Sequence, residues 1–143
     1  LTLGVHNDPR FRKGPLLSWP KLRERTRSAI TRFDIRAEGP EALANSLSGG
    51  NQQKVVLARA LADNPKVVIA VNPTRGLDVG AIAFVHDALR KARDSGAAIV
   101  LISTELDEIQ ALSDTVGVLY EGRLTIASDS SRATLGRLMG GAV

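Results

Sequence analysis

Two short apolar runs constrain this chain more than any other feature of its 143 residues. Lys66–Val71 is β-branched and bounded by Pro65 and Pro73, and Ala97–Ile102 is the longest purely apolar run. Runs of that length between turn residues suit strands buried on both faces, the kind that parallel sheets use. Between them Ile82, Val85, Leu89 and Ala92 recur at helical spacing, with Asp78 placed to cap the helix and Ser95-Gly96 to close it. A second helix, capped by Ser103 or Thr104, is expected to run to about Leu112. Thr115–Tyr120 and Leu124–Ala127 then read as two strands around Glu121-Gly122, a hairpin turn signal. Strand, helix, strand, helix, strand is the order of an α/β layer with a parallel sheet and an antiparallel edge.

The first third of the chain lies outside that layer. Residues 7–20 carry Pro9, Gly14, Pro15 and Pro20 and read as an irregular loop with at most short turns. From Lys21 to about Ala37, Leu22, Thr26, Ala29, Ile30 and Phe33 recur at helical spacing, and Gly39-Pro40 ends the helix. A short helical stretch is expected at 41–45. Ser48 stands as N-cap of a helix through Leu61, stopped by Asn64-Pro65, and a last helix covers Arg132–Met139.

Composition removes several classes of function. Cysteine is absent and the two histidines, His6 and His86, are far apart, so thiolate or imidazole clusters for zinc, iron or a disulfide are not expected. The six-residue run 97–102 is far below the roughly 20 residues of a membrane-spanning helix, and a charged-then-apolar leader is missing. These features suggest an intracellular soluble chain, and the start at Leu1 in mid-pattern suggests a fragment. The net charge is +4, all of it in residues 1–46, where nine Lys/Arg face five Asp/Glu. The run from Arg10 to Arg32 reads either as a solvated helix face or as a face toward anionic lipid or an acidic partner, with Trp19 as a buried anchor or a contact.

One motif carries chemistry. Leu47-Ser48-Gly49-Gly50-Asn51-Gln52-Gln53-Lys54 opens a helix with a hydroxyl, two glycines and a row of amides. Exposed N–H groups at a helix N-terminus carry about half a positive charge, and glycine lets a phosphate approach the backbone. Taken alone, the same residues are also ordinary capping chemistry. Glu105, Asp107 and Glu108 form a carboxylate cluster that reads as dipole complement in a first helical turn, and His86 beside Val85 and Leu89 reads as structural.

In order and spacing these features resemble the second half of an ABC-transporter nucleotide-binding domain. Leu47, Ser48, Gly49, Gly50 and Asn51 resemble the family's signature motif, Val67–Val71 its Walker B strand, Gly76, Leu77 and Asp78 its D-loop, and Ile102–Glu108 its switch segment. The forms Leu-Ser-Gly-Gly-Asn-Gln-Gln-Lys and Pro-Thr-Arg-Gly-Leu-Asp-Val-Gly-Ala resemble most the importers of simple sugars and nucleosides, whose ATPase subunit is a tandem of two such domains, the second often degenerate. The implied fold is the distal part of a P-loop NTPase (RecA-like) α/β core with an α-helical subdomain. Residues 1–46 correspond to that subdomain, 47–63 to the signature motif and its helix, and 64–143 to the core.

The departures from the family pattern are specific. Where the family has Asp-Glu-Pro-Thr, this chain has Val71-Asn72-Pro73-Thr74. Val71 thus stands where the resemblance implies a carboxylate near Mg²⁺, Asn72 where it implies the general base, and Thr104 where it implies the switch histidine. The glycine-rich phosphate loop is absent. The resemblance therefore implies a signature supplied in trans to the ATP site of a partner nucleotide-binding domain, with ATP and Mg²⁺ in the complete parent and neither bound tightly by this chain alone. It implies a membrane permease as second partner, a cytoplasmic place on the inner face of the membrane, an ATP-hydrolysing parent, and an isolated chain without activity. Nucleic acid is not expected as a partner. The alternatives are a non-transport ABC ATPase acting on nucleic acid and a catalytically dead regulatory ABC domain.

Overall fold

The computed structural model describes Val5 and residues 7–141. They form two compact units, one of residues up to Val68 together with Pro73–Ile99, the other of Ile69–Asn72 with the chain from Val100 onward.

In the first unit the proline-rich opening is more ordered than a loop. A 3-10 turn, Pro9–Phe11, leads into β1 (Arg12–Lys13) and β2 (Leu16–Leu17), which pair antiparallel. Helix α1 is Trp19–Arg32, so it begins before the expected Lys21 and ends short of Ala37. Pro20 is tolerated in its first turn because an N–H there has no partner within the helix. The early end follows from Asp34, whose φ is 45°, which lets the Ile35 N–H return to the Ile30 carbonyl at 2.9 Å. The short helix expected at 41–45 is a 3-10 turn, Ala44–Ser46.

Helix α2 is Gly49–Leu61 and helix α3 is Val79–Asp94, and the two pack against each other. Lys54 Nζ sits 4.7 Å from the centre of the Phe84 ring. Leu22, Phe33, Ile35, Leu57, Leu61, Val85 and Leu89 are the buried apolar side chains that hold this unit together.

Strand β3 is Val67–Val71 and β4 is Ala98–Ile102, neighbours in a two-stranded sheet. At one end the Ala98 N–H donates to the Lys66 carbonyl, at the other the Asn72 N–H to the Ile102 carbonyl, so residue numbers rise together as in a parallel pair. The expectation that both strands are buried on two faces is corrected: Val67, Ile69 and Val71 are 58%, 68% and 59% exposed, and Val100 and Ile102 are also open. Only alternate positions such as Val68 are covered, because among the described residues nothing packs over the other face.

In the second unit β5 (Gly117–Tyr120) and β6 (Arg123–Ile126) form the expected hairpin, Tyr120 opposite Arg123. Glu121 and Gly122 both have positive φ, 45° and 78°, the geometry of the tight turns that match strand twist. The hairpin is a sheet of its own among the described residues, not the edge of β3–β4. Helix α4 is Leu106–Leu112, with Glu105 at the N-cap position rather than Ser103 or Thr104; the Ser103 hydroxyl accepts from the Glu105 N–H at 3.0 Å.

Helix α5, Arg132–Met139, has the expected bounds. Its cap Ser131 accepts from the Thr134 N–H, and Leu135 is 1% exposed where α5 packs on β5. The Ser131 side chain, the Ser131 N–H at 2.8 Å and the Thr134 hydroxyl at 3.0 Å all bond the Asp129 carboxylate and pull its pKa down to about 2.

Candidate functional site

The signature-like residues converge at the N-terminus of α2. Ser48 occupies the N-cap position in an extended conformation, yet its hydroxyl makes no capping bond to the helix backbone. The first intrahelical bond runs from the Gln52 N–H to the Ser48 carbonyl at 2.9 Å, so the N–H groups of the first turn point outward, as at any helix start. The Ser48 Oγ instead accepts from Asn51 Nδ2 at 2.9 Å, and Asn51 Oδ1 accepts from the Arg36 N–H at 2.8 Å. Leu47 is half-buried, and its carbonyl accepts from Gln52 Nε2.

This turn sits against the loop before α3. A Cβ placed on Gly50 would lie 3.3 Å from the Ala81 Cβ and 3.9 Å from Asp78 Oδ2, so glycine there allows the close approach. Asp78 caps α3 through the Ala81 N–H at 2.9 Å. Gln53 Nε2 donates to the Pro73 carbonyl at 2.8 Å, a second tie across the same contact. Gly50 is therefore brought beside Asp78; Gly76 and Leu77 lie on the same loop, Gly76 with a φ of 73°.

Val71, Asn72 and Thr104 form a separate group in the second unit. Asn72 has a φ of 45°, and its Oδ1 accepts from the Thr104 N–H at 3.3 Å. Val71 is largely exposed at the end of β3. This end of the sheet thus carries an apolar side chain, a neutral amide and a hydroxyl, without a carboxylate at these three positions.

Two contacts at the first site were not legible from spacing. One is the Arg36 N–H on Asn51. The other is Lys54, which donates to the Asp34 carbonyl and to Asp34 Oδ2 at 2.7 and 2.8 Å, and which holds the Asp34 carboxyl below its ordinary range. Both partners stand on the turn that ends α1, too far along the chain for helical periodicity to link them to α2.

In the basic opening segment three arginines form ion pairs. Arg25 and Arg10 reach Asp63, Arg10 also binds Asp8, Arg23 binds Glu41, and both Arg10 and Arg25 stack on Phe11 at 5.6 and 5.2 Å. Trp19 is 62% exposed, on the rim of a groove of about 350 Å³ that Leu22, Ile30, Pro40 and Leu47 also line, so it is not a buried anchor. His86 is half-buried on α3, and His6 lies outside the described residues. Of the carboxylate cluster, Glu108 is buried, and Asp107 pairs with Arg132. Among the described residues no group of three or more His, Cys, Asp or Glu could hold a metal ion, and no helix is long and apolar enough to cross a membrane.

Comparison with known proteins places this arrangement. Residues 5–75 match the family model described as ABC transporter. The guanosine import ATP-binding protein NupO of Bacillus subtilis (strain 168) is 46% identical over 124 residues, covering 85% of this chain and 24% of that protein. The glucose import ATP-binding protein TsgD13 of Haloferax volcanii is 40% identical over 139 residues, covering 94% and 25%. Among solved structures, the dimeric post-hydrolysis state of the ATP-binding cassette MJ0796 bound to ADP and Pi superposes with a TM-score of 0.63 at 26% identity, covering 78% of this chain and 49% of that one. The chain belongs to the ATP-binding domains of ABC transporters, with a P-loop NTPase fold, and is homologous over most of its length to sugar and nucleoside import ATP-binding proteins. It spans about a quarter of the length of these relatives and about half of the cassette.

Proposed function

We propose that this chain works as part of the ATP-binding subunit of a sugar or nucleoside importer, where the N-terminus of α2 receives the terminal phosphate of an ATP held by a partner nucleotide-binding domain. One observation carries the reading. Ser48 stands at the start of a 13-residue helix with its hydroxyl unused by the helix backbone, beside Gly49, around whose Cβ position the space is open. Outward N–H groups and the positive end of the helix favour a phosphate there. Ser48, Gly49 and Gly50 would bind it, Asn51 would support the turn, and Gly76, Leu77 and Asp78 would shape the adjoining loop at the domain interface.

The chain's own sheet edge does not fit a Mg²⁺–ATP complex. Val71 offers no ligand atom, the Asn72 oxygen is engaged by the Thr104 N–H, and an amide cannot take a proton from water. Hydrolysis at this edge is therefore not part of the reading, and the partner domain supplies the catalytic base, worth roughly 10²–10⁴ in rate. The natural place for such a subunit is the cytoplasmic face of the membrane, docked on a permease that contacts the helical opening segment.

The test is transport by the complete subunit assembled with its permease. Ser48→Arg places a long cation where the phosphate would sit and is expected to abolish uptake, whereas Asn72→Gln leaves it nearly unchanged. Equal effects of the two substitutions would refute the trans arrangement.

A further inference from the structure

The hydrogen bonds behind Ser48 have a direction, and that direction determines what the hydroxyl can do. A backbone N–H can only donate, so the Arg36 N–H, 2.8 Å from the Asn51 side chain, must face the amide oxygen. The other end of the amide, Nδ2, is then the atom 2.9 Å from the Ser48 Oγ, and it too can only donate. The Ser48 oxygen is thereby an acceptor toward Asn51, and its own hydrogen is turned away from the amide hydrogens.

The anchor of this chain of bonds is itself held. Asp34 and Arg36 flank the turn after α1, and Lys54, three residues beyond Asn51 and on the same face of α2, binds Asp34 through carbonyl and carboxylate. Two ties at i and i+3 fasten the turn to α2 and keep the Arg36 N–H aimed at Asn51.

We propose that Asn51 is a positioning residue: anchored by the Arg36 N–H, its amide occupies the Ser48 oxygen and sends the Ser48 hydroxyl hydrogen outward, as a donor to an anionic phosphate oxygen. The inference rests on the phosphate reading of Ser48 given above. It adds that the aim of this hydroxyl depends on the turn that ends α1, so displacement of that turn weakens nucleotide engagement.

The discriminating substitution is Asn51→Asp. Aspartate keeps an acceptor for the Arg36 N–H but presents a second acceptor to Ser48, which turns the hydroxyl hydrogen inward. The experiment measures KM for ATP, kcat and the unfolding temperature of the complete ATP-binding subunit with its permease, for Ser48→Ala, Asn51→Asp and the double variant. A hydrogen bond to a charged group corresponds to about a tenfold effect or more. Ser48→Ala and Asn51→Asp are each expected to raise KM about tenfold with kcat and unfolding temperature nearly unchanged, and the double variant to match Ser48→Ala alone. Were Asn51→Asp silent, or were the two effects to multiply, the positioning role would be overturned while the phosphate reading stood; a silent Ser48→Ala would overturn both.

Discussion

Asn72 allows a prediction whose sign is opposite to the usual order of substitutions. It lies at the end of β3 with a φ of 45°, and its Oδ1 accepts from the Thr104 N–H at 3.3 Å. A contact that long sits at the weak end of the hydrogen-bond range, about 0.5 kcal/mol. Alanine loses it and must also hold a left-handed backbone, at a further cost of about 1 kcal/mol, so Asn72→Ala is expected to destabilise by about 1.5 kcal/mol. Glycine loses the same bond but adopts the left-handed region freely. That relief is offset by the greater freedom it gives the unfolded chain, so the total stays near 0.5 kcal/mol. Asn72→Glu should resemble alanine because glutamate gains nothing from a positive φ.

Urea unfolding followed by circular dichroism, with m-values equal across variants, reads these differences directly. The separation of about 1 kcal/mol between alanine and glycine corresponds to roughly 4 °C in thermal midpoint for a domain of this size. If Asn72→Gly proves as destabilising as Asn72→Ala or more so, the left-handed geometry does not govern this position and the reasoning fails.

Two further outcomes follow from burial and from the carboxylate at α5. Leu22→Ala on α1, where the leucine is 2% exposed, is expected to cost about 2–4 kcal/mol in urea midpoint analysis, while Leu16→Ala at 71% exposure stays within about 0.5 kcal/mol; similar losses at both sites would contradict the assigned core. Asp129 has its carboxyl at about 2 in the folded protein against an ordinary 3.8, so its contribution to stability is complete above that ordinary value and is lost as pH falls through about 2. Replacing it by asparagine should flatten the urea midpoint between pH 4 and 2 relative to the unmodified protein, and an unchanged slope would remove Asp129 as the cause.

Much of the secondary structure is written in local pattern. The apolar runs at 66–71 and 97–102, the helical spacing of Ile82, Val85 and Leu89, the Glu121-Gly122 turn and the cap at Asp78 all depend on neighbours a few residues away, and each appears where the pattern places it. So does the row Leu47–Asn51 at a helix start. Family membership was legible for the same reason, since motif order survives in a linear chain.

What the chain alone did not determine depends on contacts between distant residues. Periodicity cannot say whether a second layer covers a strand, and so β3 and β4 read as buried although one face of each is open. It cannot say that α1 stops at Arg32, because the stop lies in the positive φ of Asp34 and in the hold that Lys54 has on that residue from 20 positions away. Nor does it reveal that the Arg36 N–H reaches across 15 residues to orient Asn51. Residue type placed a hydroxyl at the start of α2; only the tertiary fold decided where its hydrogen points, because hydrogen-bond direction is set by whichever donor the folded chain brings alongside.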